Sequence, residues 1–208
     1  MNSPTGRGHQ QRKSDRTRRK ILDAAAKLFR GQGYSGTSLR QIARRANIEA
    51  GSVYYYFESK DQILDEVMEH GIRVVYAAVE NAVDTLPASA SPRQRLETAV
   101  AVHLYTLLRY SDYTSANIQN FRLVSRAAQN RNKAIRRDYS QYWNRLFEEA
   151  QRAGEIAAHV DLSVARLFLL GTLNWSINWY DPKQESTEFL AAKFCELFFD
   201  GAAGRGED

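Results

Sequence analysis

Cysteine and proline are nearly missing from this chain: Cys195 stands alone, and only four prolines occur in 208 residues. A lone cysteine excludes an internal disulfide and fits a reducing compartment. Its apolar surroundings, Phe194 to Phe198, point to a buried structural thiol rather than a reactive one. So few prolines, with few clustered β-branched residues, argue against an all-β fold. Long hydrophobic runs are also lacking. The longest, around Val164 to Leu173, is short and holds Arg166, which argues against a membrane span. The opening MNSPTGRGHQQRKSD has no apolar segment of the kind a secretory signal needs, so a cytoplasmic location is expected. His9, His70, His103 and His159 are scattered, metal-ligand spacing is absent, and there is neither a Gly-rich phosphate loop nor a nucleophile elbow. No catalytic residue, metal or cofactor is expected, because an enzyme needs converging chemistry.

Charge is present but uneven. Residues 1–60 hold 13 Lys and Arg against 4 Asp and Glu, a net of +9, while the whole chain is +5, so residues 61–208 carry −4. A basic front on a mildly acidic body is the footprint of a protein that meets a polyanion through one end. A basic tail that only aids solubility would give the same sign without a built site.

The built site lies in TSLRQIARRANIEAGSVYYYFESK, residues 37–60. Leu39, Ile42, Ala43 and Ala46 form one apolar face of a short helix, and Thr37 or Ser38 caps its start. Asn47 tolerates turn geometry, and Ile48 serves as an apolar plug at the corner. A second short helix begins near Ala50 or Gly51 and buries Val53 and Phe57, four apart. Ser52, Tyr54, Tyr55 and Tyr56 are left facing outward, and core packing alone does not account for them. This is the pattern of a helix-turn-helix whose second helix enters the DNA major groove. Gly51 allows close backbone approach, while tyrosine hydroxyls can donate to phosphates and their rings can pack on sugars or a thymine methyl. Arg40, Arg44 and Arg45 add charge to the first helix, and Lys60 opens the next.

The segment from about Arg16 to Leu64 resembles the DNA-binding domain of the TetR family of bacterial transcriptional regulators. The resemblance runs through Ile21-Leu22-Asp23-Ala24-Ala25, Leu28-Phe29, Gly33-Tyr34, Thr37-Ser38, Ile42-Ala43, Ala46, Gly51 to Phe57 and Ser59-Lys60, with unbroken spacing. One departure is Glu49-Ala50, where many members carry Ser-Lys or similar. Glu49 is left to read a cytosine amino group, cap the helix or face solvent. The resemblance implies a dimer that binds a pseudo-palindromic double-stranded DNA operator. Thr37, Ser38, Tyr54, Tyr55 and Lys60 would hold phosphates, and Gly51, Ser52 and Arg40 or Tyr56 would lie near bases.

The rest of the chain reads as helices, giving an all-α fold of about nine, with a three-helix head and a larger body. Residues 1–14 have no period and are expected to be a disordered basic arm. The head follows over 15–60, a ligand-binding and dimerisation body over 61–200, and a polar tail over 201–208. Helices are expected from about Asp15 to Gly31, from Ser59 to Leu86 before Pro87, from Ser91-Pro92 to Tyr110, from Ser115 to Ala128, and from Arg131 to Gly154. A strongly apolar helix follows Asp161 and stops at Asp181-Pro182, and the last spans Ser186 to Phe199. These last two helices are apolar over more than one stripe, which suits either burial in the centre of the body or a four-helix homodimer interface, and a helix-turn-helix head that reads a two-fold site favours the second.

For a small hydrophobic or aromatic effector the candidates are Tyr105, Phe121, Tyr139, Trp143, Trp175, Asn178 and Trp179, since aromatic walls with few polar groups are what such sites look like. Plain core packing is the competing account of each. The segment Asn174 to Pro182 is similar to one in regulators that sense acyl-coenzyme A thioesters. Arg122, Arg126, Arg131, Lys133, Arg136 and Arg137 form a basic cluster that could meet coenzyme A phosphates, or else a solvated helix face. The reading is therefore a ligand-responsive repressor. Its alternative is an architectural or constitutive DNA-binding protein without an effector.

Overall fold

The computed structural model describes residues 5–120 and 126–201, and within these the chain is built of α-helices with no strand. The helices are α1 (Thr5–Gln32), α2 (Leu39–Ala46), α3 (Ala50–Tyr56), α4 (Lys60–Asp84), α5 (Pro92–Arg109), α6 (Ser111–Asn120), α7 (Arg126–Arg152), α8 (Leu162–Trp175) and α9 (Thr187–Asp200). A 3₁₀ turn at Ser176–Asn178 follows α8. The all-α expectation holds. Among the described residues no helix is long and apolar enough to cross a membrane.

The chain forms two compact units, residues 1–71 with 112–133 and residues 72–111 with 134–208. The charge pattern and the helix signals place a border after residue 60. The observed border falls inside α4, and α6 with the start of α7 belongs to the first unit.

In the first unit, α1 turns Ile21, Ala25 and Phe29 into a core shared with Ile42 and Ala43 of α2, Val53 of α3, and Ile63, Leu64 and Val67 of α4. Gly33, at φ 72°, ends α1 by entering the left-handed region that an L side chain avoids. The helix begins at Thr5 rather than near Asp15. Gln10, Gln11, Arg12 and Lys13 are good helix formers, so a helix already nucleated downstream extends backward through them. Residues 1–4, and residues 202–208 of the expected polar tail, lie outside the described residues. From α6, Tyr113 and Ala116 join this core. Tyr113 donates its hydroxyl to Asp23, and the Asn117 amide donates to the Met68 carbonyl at 2.7 Å.

In the second unit, Val75, Val79 and Val83 of α4 pack with Leu96, Val100 and Leu104 of α5, Trp143, Leu146 and Phe147 of α7, Leu169 and Leu173 of α8, and Ala191 and Cys195 of α9. Ser91 caps α5 with a full capping box to Gln94, and Asp161 caps α8 by accepting from the Ser163 and Val164 N–H groups. Burial raises the Cys195 thiol to about 12, in keeping with a structural role. Of the helix expected over 115–128, residues 115–120 lie in α6 and residues 126–128 in α7, and residues 121–125 lie outside the described residues.

Candidate nucleic-acid interface

Each end of α2 is closed by a specific residue. The Ser38 hydroxyl accepts from the Gln41 N–H, and the Gln41 side-chain oxygen accepts from the Ser38 N–H at 2.7 Å, a complete capping box. Asn47 then adopts the left-handed conformation, φ 55° and ψ 52°, and its N–H returns to the Ala43 and Arg44 carbonyls. Asn is among the few residues that take this geometry readily, which explains the tight corner. Ile48 packs on the core as the plug. Glu49 sits at the N-cap of α3 with no side-chain capping bond and faces solvent.

Helix α3 is only two turns long, and two of its side chains fix it. Val53 is fully buried, as is Phe57 just past its end. That pins the opposite face outward, where Tyr54 is 64% and Tyr55 81% exposed. Tyr56 behaves differently, being half-buried against the core with its ring edge-on to Tyr55 at 5.0 Å. Gly51 is exposed, and a Cβ added there would meet nothing within 4 Å. Packing within the chain does not demand that glycine, which is what a position left open for an outside partner looks like.

The nine expected DNA contacts thus separate. Arg40, Gly51, Tyr54 and Tyr55 are exposed, and Ser52 is half-buried beside them. Ser38 is exposed, but its hydroxyl is engaged with Gln41. Thr37 and Lys60 turn inward, contrary to their expected place on phosphates. The Thr37 side chain is buried and donates to the Gly33 carbonyl at 2.8 Å. Lys60 donates to the Tyr34 and Thr37 carbonyls at 2.8 and 2.7 Å and lies 4.0 Å from the Tyr34 ring centroid. The reason is local: the loop before α2 leaves carbonyls without helical partners, and a lysine ammonium within reach satisfies two of them. The Tyr34 hydroxyl donates to Asp61, and burial followed by that carboxylate raises its pKa to about 12.

In the second unit the expected effector residues also separate. Tyr139 and Trp143 come together around His103, with ring centroids 6.0 and 5.9 Å from the imidazole, and Tyr76 stands 5.0 Å from Tyr139. His103 Nδ1 and the Tyr139 hydroxyl are 2.7 Å apart. Burial pushes the imidazole down to about 4, against a weaker opposing effect of the Asn174 side chain, so it is neutral near pH 7. Trp143 Nε1 is buried with no hydrogen-bond partner among the described residues. From the sequence His103 reads as a satisfied or ligand-facing histidine of a helix interior rather than a catalytic base. What marks it is its place on the α5 face shared with Val100, Leu104 and Leu107.

Tyr105, Trp175, Asn178 and Trp179 do not join this cluster and are exposed, and Phe121 lies outside the described residues. Trp175 belongs to another set. With Val164, Leu167 and Phe168 it forms an outward apolar stripe on α8, all between 62% and 67% exposed. The spacing 164, 167, 168, 175 keeps them on one helix face, opposite the buried Leu169 and Leu173. On α9, Phe189 and Leu197 are similarly exposed. Of the basic cluster, Arg126, Lys133 and Arg137 are exposed and Arg136 is half-buried. Arg122 and the Arg131 side chain lie outside the described residues.

Comparison with known proteins agrees with this geometry. Residues 21–67 match the family described as bacterial regulatory proteins, tetR family, and residues 89–202 match the tetracyclin repressor-like C-terminal domain. The chain is 26% identical over 191 residues to the HTH-type transcriptional repressor KstR2 of Rhodococcus jostii, covering 89% of this chain and 91% of that protein. The solved structure of the TetR family regulator PfmR from Thermus thermophilus superposes with a TM-score of 0.79 at 25% identity, over 88% of this chain and 99% of that one. AibR, solved with isovaleryl coenzyme A and operator DNA, shares the fold with a TM-score of 0.77 at 24% identity, over 88% and 98% of the two chains. With its helix-turn-helix and its C-terminal helical domain both matched, the chain belongs to the TetR family of bacterial transcriptional regulators, DNA-binding proteins rather than enzymes.

Proposed function

We propose that this regulator is a cytoplasmic repressor that binds a pseudo-palindromic operator as a homodimer and is released by a small hydrophobic effector, an acyl-coenzyme A ester being the leading class. The observation that carries the DNA half is the pair Tyr54 and Tyr55, held outward on a two-turn helix by the buried Val53 and Phe57. In this reading Tyr54, Tyr55 and Arg40 meet phosphates and sugars, while Gly51 and Ser52 lie against base edges. The outward apolar stripe of α8, with Phe189 and Leu197 of α9, supports the homodimer, because an unpaired apolar face of this kind marks an association surface.

The effector half rests on the aromatic cluster of Tyr76, Tyr139 and Trp143 around a neutral His103. The same fold holds isovaleryl coenzyme A in AibR. Binding there would favour a dimer state whose two heads no longer match the groove repeat.

Thermal melting of the purified protein against acyl-coenzyme A esters, free acids, aromatics and drugs tests the effector. A saturable, class-specific rise in Tm is expected, since a ligand of the folded state alone stabilises it. The responding compounds are then titrated into a protein–DNA complex. No shift from any class would leave a constitutive DNA-binding protein as the better reading.

A further inference from the structure

The solvent face of α1 is more basic than a helix-turn-helix head requires. Arg12, Lys13, Arg16, Lys20 and Lys27 are all exposed, and among the described residues none of their charged groups has a partner. At about 100° per residue these five positions fall within an arc of about 100°, centred opposite Ile21, Ala25 and Phe29. They form one continuous strip, about 22 Å long at 1.5 Å per residue from Arg12 to Lys27. Such a strip matches about six base-pair steps of duplex length, at about 3.4 Å of helix axis per step.

The strip does not end on α1. Lys20 and Lys27 line a surface hollow of about 320 Å³ together with Arg45 and Asn47, which lie at the end of α2 and in the corner before α3. The basic strip therefore runs up to the helix-turn-helix corner itself. Its one carboxylate, Asp23, accepts the Tyr113 hydroxyl and pairs with Arg19 at 3.6 Å, so its charge is offset locally. A solvated helix face would ordinarily alternate sign and show i,i+4 ion pairs. Here the i,i+4 pair Arg19–Asp23 takes up the carboxylate, and the five like charges left beside it repel one another unless an anion lies along them.

We propose that the α1 strip, Arg12 to Lys27 with Arg45, is a second DNA contact, a track for backbone phosphates beyond those met by α3. It rests on the reading of the chain as a DNA-binding protein and adds to it a sequence-independent share of the affinity. These cations bind phosphates, so they raise affinity for operator and non-operator DNA alike and steepen the salt dependence. They carry no base preference, which stays with α3.

The test uses the full-length protein and a fluorescein-labelled 40-base-pair duplex of random sequence, with affinity measured by anisotropy across a sodium chloride series. The variant is R16Q/K20Q/K27Q/R45Q, all four positions exposed, with its fold checked by circular dichroism and melting. A control removes four exposed charges from the other unit, R109Q/R137Q/R152Q/K183Q, and so matches the change in net charge.

The slope of log K against log salt should become shallower by about 3 in the first variant, at about 0.9 per phosphate contact, with affinity at low salt falling at least tenfold. The control should keep the slope of the parent. An unchanged slope in the first variant, or the same loss in both, would overturn the track. If the parent protein binds no duplex at any salt, the DNA-binding reading itself fails, and the track with it.

Discussion

The Asn117 amide donates to the Met68 carbonyl at 2.7 Å, and at Gly71, three residues further along α4, a Cβ would stand 2.7 Å from the Tyr113 carbonyl oxygen. Helices α4 and α6 thus touch backbone to backbone inside the first unit, and glycine is what permits it. Gly71→Ala gains about 1 kcal/mol of helix propensity but must displace main-chain atoms that have no rotamer to change. A net loss of about 1–3 kcal/mol is expected, read as a lower urea midpoint at unchanged m-value. A midpoint at or above that of the parent would mean that this contact is loose.

Ser38→Ala should cost about 1 kcal/mol, because it removes the acceptor for the Gln41 N–H, while the bond from the residue 38 N–H to the Gln41 side chain survives. The same variant tests the role of the hydroxyl on DNA. With that oxygen engaged by Gln41, affinity should change less than twofold once stability is restored by temperature. A tenfold fall would show that the hydroxyl leaves its cap to meet a phosphate.

Replacing Tyr55 by Phe removes one exposed hydroxyl and leaves ring packing in place. Affinity for all duplexes should fall by about the same factor, corresponding to about 1 kcal/mol for a single hydrogen bond. Anisotropy titrations on several unrelated sequences check this. Altered preference among them, at unchanged mean affinity, would place the ring on a base edge instead.

Much of the fold and of the interface is legible in the sequence, and the exceptions have physical causes. Spacing alone locates α2, α3 and their corner, since a buried Val53–Phe57 pair admits only one outward face. Thr37 and Lys60 are misplaced by it because a polar residue near a helix start reads the same whether it faces a phosphate or a carbonyl. Only the folded chain shows the Tyr34 and Thr37 carbonyls waiting for an ammonium. Trp175 and Trp179 group with Trp143 in the sequence because each is a large aromatic on an apolar segment. The register of α8 decides between inside and outside, and one residue's shift of a narrow stripe is hard to read where nearly every residue is apolar. Residues 5–14 read as irregular from their glycines and lack of period, but apolar periodicity reports burial rather than helix formation itself.

Burial holds the His103 pKa near 4, whereas an unfolded histidine titrates near 6.5. Between those values the unfolded chain binds the extra proton, so stability is full above about pH 6.5 and is lost as pH falls toward 4. The loss attributable to this group approaches about 3 kcal/mol, from about 1.36 kcal/mol per unit. His70 is lowered as well, by burial first and then by Arg19, and adds a loss of the same sign. Urea unfolding of the parent and of His103→Gln at pH 7.5 and pH 5 separates the two. The acid-induced loss should be smaller in the variant, and an identical loss would mean that His103 is already protonated in the folded chain.

The α8 stripe decides whether this regulator is a dimer. Phe168 is 67% exposed while its neighbour Leu169 is 3% exposed, so the two positions distinguish surface from core with one substitution each. Phe168→Glu removes no buried contact within the chain and should leave the single-chain fold intact. In a homodimer joined through α8 and α9, however, it would place two carboxylates in an apolar interface with nothing to pair them. Sedimentation velocity at micromolar concentration should then show monomer in place of dimer. Affinity for an operator with two half-sites should drop steeply, because each head must bind without the effective concentration its partner supplies. Leu169→Glu is the contrasting case, since burying a lone carboxylate in the core should unfold the second unit. A Phe168→Glu protein that still sediments as a dimer would move the interface off this stripe.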